Sequence, residues 1–539
     1  MSYEVRDRDL LARIGRLHTK SGTIETPLLF PVVNPTIQPI SPSELREKFG
    51  FEALITNAYI LRKRFGEQPA KMGIHDFLNF NGVVMTDSGA YQLLIYGELD
   101  VKPEEIVAYQ EQINVDIATI LDVPTGWNVK RSYAEETVNE TIRRAKELFK
   151  IKTRDDILWV GPIQGGRFTD LVVKSAREMG KLPFQIHALG SPTRVMENYR
   201  FDVLVDMIMA AKMNIPPDRP LHLFGAGHPM MFSLAVALGC DLFDSASYAL
   251  YAKDERYMTE MGTARLNELE YFPCSCPACS RSTPEDVRSM TKVERERFLA
   301  EHNLYACISE IKRIKQAIRE GRLWEHLTAR SYAHPSLLQA IKKLDKFKEF
   351  IERHSPVSKP SGLFFYSGID LVRPEVVRHC IRLRERYTKP PKAEILILIP
   401  QTRVKPLHKT SEFKKLEKAI KKAFNSWPEN IHVCAYDAPF GVIPMELDET
   451  YPLSQHETTF PLDAEIITYV AQQSADYVYR MDYRVVVLLH SPEDWGDAVL
   501  KAIEERCRVK GIKFKYFELK DDWEKMVANF LSELLGGKS

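Results

Sequence analysis

The stretch CDLFDSASYALYAKDERYMTEMGTARLNELEYFPCSCPAC (240–279) decides the predicted fold. Its apolar run DLF ends in Asp244, inside a segment rich in Ser, Ala and Tyr, as expected for a buried strand that delivers one carboxylate to a pocket. Cys274 follows 30 residues later and opens a compact group of three cysteines. We interpret Asp244 as the working carboxylate and the cysteines as a metal site that fixes the segment after it.

Seven similar runs precede this strand, each apolar, β-branched and ended by polar or glycine-rich residues. The full set is TPLLFPVVN (26–34), ALITN (53–57), GVVMTD (82–87), IATILD (117–122), ILWVGPIQGG (157–166), FQIHALG (184–190), LHLFGAG (221–227) and DLFDSAS (241–247). Helix-like stretches lie between most of them, such as SYAEETVNETIRRAKELFKI (132–151) and TDLVVKSAREMG (169–180). Eight alternating repeats predict the α/β fold of a closed (β/α)8, TIM-like barrel. An open doubly wound sheet would give a similar pattern with fewer strands.

Polar residues follow the predicted strands at the end where barrels of this kind carry their chemistry. They are Asp87, Asp122, Gln164 with Gly165 and Gly166, Gly190, Gly225 with Gly227, and Asp244. An Asp after a strand is usually a turn residue or a helix N-cap. Three acids at comparable places favour a shared site, and Asp87 and Asp244 are the predicted catalytic pair.

The cysteine cluster CSCPAC has the spacing C-x-C-x2-C, which supplies three soft ligands within six residues. A tetrahedral zinc site needs a fourth ligand, and His302 and Cys307 compete for that place. Five positions on a helix correspond to about 500° of rotation, so the two side chains do not share a face and only one of them binds. Four protein ligands leave no open coordination position, which favours a structural zinc over a catalytic one.

The bulk composition describes an ordinary globular chain. Its 539 residues are 44% apolar and 27% charged, with a net charge of +1, and no run of about 18 uncharged apolar residues is present. The first residues contain no apolar signal region, and most of the eight cysteines are scattered, as in a reduced compartment. We therefore expect a cytoplasmic protein without a membrane partner.

The character of the sequence changes after the cysteine region. We expect a catalytic barrel with its zinc subdomain (about 270–325) over residues 1–350, a linker at 351–362, and an α/β module at 363–539. Predicted strands in the module are AEILILIP (393–400), NIHVCAY (430–436) and YRVVVLLH (483–490). The basic segment QTRVKPLHKTSEFKKLEKAIKKAF (401–424) is the solvated face of a helix or a surface that tracks phosphates.

Together these motifs resemble the tRNA-guanine transglycosylases, and more closely their archaeal, archaeosine-forming branch. The resemblance covers residues 1 to about 350 through MTDSGAYQ (85–92), LDVPTG (121–126), GPIQGG (161–166), HALGS (187–191), LFGAGHP (223–229), FDSASYALYAKDERYMT (243–259) and CSCPAC (274–279). Members of the archaeal branch exchange guanine 15 of the tRNA D-arm for 7-cyano-7-deazaguanine (preQ0). The resemblance therefore implies a pentosyltransferase that acts on tRNA and preQ0.

The resemblance also implies roles for individual residues. Asp244 matches the nucleophile that attacks C1′ of the ribose, and Asp87 matches the second catalytic aspartate, which handles the protons of the bases. The matches to the base pocket are Asp122 on the purine edge, Gln164, Ala188, Leu189, Gly190, and Tyr91 as a stacking ring, for which ordinary core packing is the alternative. The implied zinc ligands, one ion per chain, are Cys274, Cys276, Cys279 and His302, beside the interface of a homodimer.

One expected feature of the archaeal branch is missing from the motifs. We find no pattern of the small RNA-binding PUA domain, so tRNA docking is expected to use the basic segment after Arg403 or a separately encoded RNA-binding protein. The competing hypothesis is a non-catalytic tRNA-binding subunit, which should have lost the carboxylates that this chain keeps. A zinc hydrolase would need an open metal position. Nothing in the residues separates preQ0 from the aminomethyl base preQ1.

Overall fold

The computed structural model describes residues 2–90 and 101–536, which form two compact units, Met1–Phe347 and Lys348–Ser539. Eight parallel strands of the first unit close into a barrel, in the order β10-β11-β4-β5-β6-β7-β8-β9. The barrel strands are β4 (Leu28–Val33), β5 (Ala53–Asn57), β6 (Val83–Asp87), β7 (Ile117–Thr119), β8 (Leu158–Ile163), β9 (Ile186–Leu189), β10 (Leu221–Leu223) and β11 (Leu242–Ser245). Each lies within one of the eight predicted runs, so the (β/α)8 prediction is confirmed and the open sheet is excluded.

A three-stranded antiparallel sheet precedes the barrel and was not predicted. Its strands are β1 (Tyr3–Asp9), β2 (Ala12–His18) and β3 (Thr23–Thr26), in that order. Tyr3, Leu17 and Ile24 join one buried apolar cluster with barrel residues that include Leu242, the first residue of β11. The sheet therefore covers the amino end of the barrel and leaves the site chemistry to the carboxyl end.

Helices surround the barrel in the first unit. They are Pro42–Glu47, Ala58–Phe65, Gln68–Met72, Ile74–Leu78, Pro103–Gln112, Arg131–Ile151, Thr169–Gly180, Thr193–Glu197, Phe201–Lys212, Pro229–Ala237, Ser247–Lys253, Pro284–Ser289, Lys292–Glu320, Leu323–Ser331 and Pro335–Lys342. A hairpin of β12 (Arg256–Thr259) and β13 (Gly262–Arg265) precedes the cysteines.

The longest helix, Lys292–Glu320, shows why its sequence folds as it does. Thr291 and Glu294 form a reciprocal capping box at its start, and Gly321 ends it in the left-handed conformation. Its buried face carries Leu299, Leu304 and nine further positions at helical spacing, so the helix packs on the barrel along one side.

The second unit is built on a five-stranded sheet in the order β17-β16-β15-β19-β20. Its strands are β15 (Ile395–Pro400), β16 (Ile431–Asp437), β17 (Gly441–Pro444), β19 (Val485–His490) and β20 (Lys513–Glu518), and β14 (Leu363–Phe365) pairs separately with β18 (His456–Thr458). Helices are Lys348–His354, Pro374–Glu385, Ser411–Phe424, Ala464–Arg480, Pro492–Trp495, Ala498–Lys510 and Trp523–Leu535. The three predicted strands of the module are all present, and buried clusters cover both faces of the sheet.

None of the helices within residues 2–90 and 101–536 combines the length with the apolar run that a bilayer span requires.

Candidate active site and metal centre

Asp87 ends strand β6 at the carboxyl mouth of the barrel. Its Oδ1 accepts hydrogen bonds from Asn57 Nδ2 at 2.7 Å and from the backbone N–H of Gly89 at 2.8 Å. Burial, with smaller contributions from the negative charges of Asp244 and Asp122, raises the pKa of Asp87 to about 7, against the hydrogen bonds that it accepts. A carboxyl group with this pKa exchanges a proton near neutral pH, which suits a general acid and base.

Asp244 lies on strand β11, and its side chain is 14% exposed. Its Oδ1 accepts hydrogen bonds from His222 Nε2 at 2.9 Å and from the Gly225 N–H at 3.0 Å. No hydrogen bond reaches its Oδ2 from residues 2–90 or 101–536. Asp244 thus presents one anchored oxygen and one oxygen without a partner in the described chain.

A third carboxylate, Asp122, follows β7 and is buried with Gln164. The Gln164 amide Nε2 donates to Asp122 Oδ2, while Gln164 Oε1 accepts from the Thr125 N–H at 3.0 Å and from Ser191 Oγ at 2.9 Å. Burial raises the pKa of Asp122 to about 6, against the hydrogen bond from Gln164. The pair forms a rigid polar edge that can bind a flat, hydrogen-bonding ligand.

Gly190 directly follows strand β9, next to this edge. A Cβ atom at position 190 would lie 2.2 Å from Gln164 Nε2, so only glycine allows the Gln164 amide to lie against the backbone there. The Gly190 N–H donates to Ile163 O at 2.9 Å, and Ala188 and Leu189 are fully buried in the same strand. The structure therefore brings Asp122, Gln164 and Gly190 together at one wall of the mouth.

Tyr91, the predicted stacking ring, lies outside the described residues. Two residues that the sequence analysis missed, Asn57 and His222, each hold a predicted catalytic carboxylate. Asn57 carried a usable signal, because it is a polar residue at the end of a predicted strand, like Asp87. His222 carried none, because it stands inside an apolar strand, where a buried histidine is unremarkable.

The three cysteines and His302 converge on one point. The ligand atoms of Cys274, Cys276, Cys279 and His302 all lie within 4.8 Å of one another. His302 Nε2 donates to Met258 O at 2.8 Å, so its Nδ1 is left to face the sulfur atoms of Cys276 and Cys279, at 3.6 and 3.3 Å. The cluster could therefore bind a metal ion.

The competing ligand Cys307 lies elsewhere. Its thiol faces Gly227 O at 3.4 Å, beside the loop that follows β10, and does not join the metal cluster. Of the two alternatives for the fourth ligand, the structure selects His302. The Tyr257 ring stacks on the His302 imidazole at 3.5 Å and holds it in place.

The metal centre is tied to the chain that follows Asp244. Asn303, next to His302, accepts from the Met258 N–H at 2.9 Å and donates to Tyr248 O at 3.3 Å. Tyr248 belongs to helix Ser247–Lys253, which begins three residues after Asp244. The cluster is thus linked by hydrogen bonds to the helix that follows Asp244.

Comparison with known proteins gives two family matches. The model described as "Queuine tRNA-ribosyltransferase" matches residues 8–336, and a domain of unknown function (DUF5591) matches residues 376–523. The chain is 44% identical over 475 residues to the tRNA-guanine(15) transglycosylase of Methanocaldococcus jannaschii, covering 86% of this chain and 70% of that protein. It is 40% identical over 493 residues to that of Sulfolobus acidocaldarius, covering 90% and 95% of the two chains. With the protein of the same name from Aeropyrum pernix it shares 51% identity over 354 residues, 66% of this chain and 69% of the other.

Proposed function

The chain belongs to the queuine tRNA-ribosyltransferase family and is a transferase, and we propose that it exchanges guanine 15 of tRNA for preQ0, on the route to archaeosine in the cytoplasm. The similarity to proteins named tRNA-guanine(15) transglycosylase supports the tRNA position. The observation that carries the chemistry is the pair Asp87 and Asp244, two carboxylates at one mouth with different surroundings. The most specific element of the proposal is that preQ0 is the incoming base.

Asp244 is the proposed nucleophile. Exchange of a base with retention of configuration needs a covalent intermediate, in which a carboxylate oxygen replaces the base on C1′ through an oxocarbenium-like transition state. Asp244 has an oxygen without a partner in the described chain and two N–H donors that hold the other oxygen. The incoming base then displaces the carboxylate, so no energy source beyond the exchanged N-glycosidic bond is required.

Asp87 is the proposed proton carrier. The leaving guanine needs a proton as its bond to C1′ breaks, and the incoming base must lose one. The pKa of Asp87, raised to about 7 mainly by burial, lets one carboxyl group serve both halves of the reaction.

The wall formed by Asp122, Gln164 and the backbone of Ala188, Leu189 and Gly190 is the proposed purine pocket. A carboxylate opposite the N1–H and 2-amino edge of a purine can accept two hydrogen bonds. Because Asp122 is anchored by Gln164, the pocket is preorganised for that edge before a base arrives. The target nucleotide must leave its stack to reach this wall, as in other enzymes that act on bases.

The metal at the four-residue cluster is proposed to be a structural zinc ion, one per chain. Three thiolates and one imidazole are the donor set that zinc prefers in tetrahedral sites. Zinc would there cross-link the residues around Cys274 to helix Lys292–Glu320, beside the interface of a proposed homodimer. It takes part in no bond that the reaction makes or breaks.

The second unit is proposed to dock tRNA, alone or with a separate RNA-binding protein. Helix Ser411–Phe424 buries Phe413, Leu416 and Ile420. It exposes a lysine face, defined here as Lys414, Lys415, Lys418, Lys421 and Lys422. Only Lys421 of this face has an acidic partner among the described residues, Glu417 at 2.7 Å. Lysines presented in this way suit the phosphates of a nucleic acid backbone.

The test is the incorporation of labelled guanine into unmodified tRNA transcripts, with preQ0 and preQ1 as competitors. We expect the wild type to exchange guanine in a transcript with G15 but not with A15, and preQ0 to suppress that exchange. Asp244→Ala and Asp87→Ala should abolish it, whereas Asp254→Ala, an exposed acid in the same segment, should not. A folded, zinc-loaded wild type that exchanges no base, or one that prefers preQ1, would contradict the proposal.

A further inference from the structure

We propose that His222 is the positioning residue of the nucleophile, and that it selects Asp244 Oδ2 as the atom that bonds to the ribose. This inference rests on the proposed base exchange. It assigns a role in that reaction to His222 and to one oxygen atom of Asp244.

Two donors converge on the same oxygen of Asp244. His222 Nε2 lies 2.9 Å and the Gly225 N lies 3.0 Å from Oδ1, while Oδ2 has no hydrogen bond from the described residues. An oxygen that accepts two hydrogen bonds has its lone pairs engaged, so Oδ2 is the atom free to attack. The two donors also fix the rotation of the carboxylate, which sets the direction in which Oδ2 points.

Asp244 is the one hydrogen-bond partner of the buried His222 side chain among the described residues. The imidazole is fully buried, stacked on Phe30 with ring centroids 5.8 Å apart and edge-on to Phe224 at 4.7 Å. Its other nitrogen, Nδ1, has no hydrogen-bond partner in residues 2–90 and 101–536. Burying an unpaired ring nitrogen costs free energy, and an apolar side chain would fill the same space without that cost. The contact with Asp244 is the compensation visible in the structure.

The same arrangement balances both halves of the exchange. In the first half, Oδ2 forms a bond to C1′ while the electron pair of the C1′–N9 bond leaves with guanine, which takes the proton of Asp87. In the second half, the incoming base attacks C1′ and gives its N9 proton to the Asp87 carboxylate, while the electron pair of the Oδ2–C1′ bond returns to Asp244. His222 Nε2–H and the Gly225 N–H stay on Oδ1 throughout, so the carboxylate keeps one orientation as leaving group and as nucleophile.

The test replaces His222 by two amide side chains that differ in length. Gln at position 222 can place its amide N–H near the position of Nε2, whereas Asn carries the same group on a shorter side chain and cannot reach Asp244. We expect His222→Asn to lower kcat about 10- to 100-fold with the KM for tRNA and for the base within about twofold. His222→Gln should recover kcat to within about fivefold of the wild type. A denaturing gel that resolves the covalent tRNA adduct should show slower adduct formation in His222→Asn.

His187→Asn is the matched control. His187 lies on the neighbouring strand β9, is equally buried, and has no hydrogen bond to a carboxylate among the described residues. We expect its kcat to stay within about twofold of the wild type.

Equal activity of His222→Asn and His222→Gln, both folded, would overturn the positioning role while leaving the base exchange intact. A wild type without any exchange would overturn both, and wild-type exchange that Asp244→Ala abolishes keeps the proposed function standing in either case.

Discussion

Two aspartates near opposite ends of strand β11 have contrasting surroundings. Asp241, at the amino end, has a side chain with no exposed surface, and it is bonded on both oxygens, by Arg13, Tyr3 and the Leu221 N–H. Asp244, three residues later, is anchored on one oxygen only. A carboxylate that accepts hydrogen bonds on both oxygens stabilises the fold. A carboxylate with one oxygen that accepts no hydrogen bond is available for chemistry.

The pKa of Asp241 reflects its role. Burial alone would raise the pKa, but the positive charges of Arg13 and Lys212 and the Arg13 hydrogen bonds outweigh burial and hold it below its usual value. Asp87, at the carboxyl end of the barrel, has no cation among the causes of its shift, and burial raises its pKa to about 7. The amino end is therefore built to keep charges paired, and the carboxyl end to keep a proton available.

The sharpest test of this contrast is Asp244→Asn. The Asn side chain can keep its Oδ1 on His222 and Gly225 and replaces only Oδ2, so the fold should be unchanged and the nucleophile lost. We expect exchange activity to fall about 10⁴-fold or more, measured by labelled guanine incorporation. The melting temperature, followed by circular dichroism, should move by less than about 2 °C. If Asp244→Asn lost as much stability as Asp241→Asn, the contrast between a structural Asp241 and a reactive Asp244 would be contradicted.

Asp241→Asn should show the reverse. It leaves the buried Arg13 guanidinium without its charged partner, and we expect the free energy of unfolding to fall by about 3–5 kcal/mol in urea titrations. Activity of the protein that remains folded should stay within about threefold of the wild type. Because the folded-state pKa is depressed, this stabilisation is complete above about pH 4 and is lost as pH falls further, so wild type and mutant should converge in acid. A stability difference that persists in acid would contradict the role given to the Arg13 pair.

The proton at the carboxyl end can be followed directly through the pH dependence of guanine release in a single turnover. Asp87 must be protonated to donate to guanine, so the rate should be flat below about pH 7 and fall about tenfold per pH unit above it. Asp87→Asn should remove this dependence together with most of the rate. A rate that rises through pH 7 would mean that Asp87 acts as a base in this step.

The smallest expected effect lies outside the barrel. Changing Lys414, Lys415 and Lys418 of the lysine face to Gln should raise the KM for tRNA several-fold and make binding less dependent on salt, with kcat unchanged. The same change at three exposed lysines of the barrel exterior, Lys146, Lys150 and Lys181, serves as the control. Equal effects of the two triple mutants would remove the argument for the second unit as the docking surface.

The barrel was predictable because its signals are local. Each parallel strand is a short apolar run that is buried on both faces, and each ends in polar residues, so a pattern along the chain suffices. The N-terminal sheet was missed because β1 reads YEVRDRD, in which charged residues fill the exposed positions of the strand. Helix boundaries are also hard to predict where no local signal is strong: Pro335 begins a helix that ends at Lys342, and a further helix runs over Lys348–His354.

The candidate site was predictable only as far as its acids. Asp87, Asp122, Asp244 and the cysteine cluster stand in recognisable sequence contexts. Asn57 and His222 owe their importance to the register of neighbouring strands: Asn57 lies opposite Asp87, and β10 runs beside β11. Which donor meets which carboxylate is decided by that pairing across the barrel, and no local pattern encodes it.

The pairing of the first and last barrel strands determines when the barrel can close during translation. Strand β11 pairs with β4, and Arg13 reaches Asp241 across 228 residues of sequence, so the ring cannot close until that stretch has left the ribosome. At ordinary rates of synthesis, the first strands wait roughly 10–45 seconds for their last neighbour. The segment after Asp244 is completed later still. His302 and Asn303, which form hydrogen bonds to Met258 in that segment, are translated after the last barrel strand. The segment after Asp244 thus receives these hydrogen bonds only after helix Lys292–Glu320 has been translated.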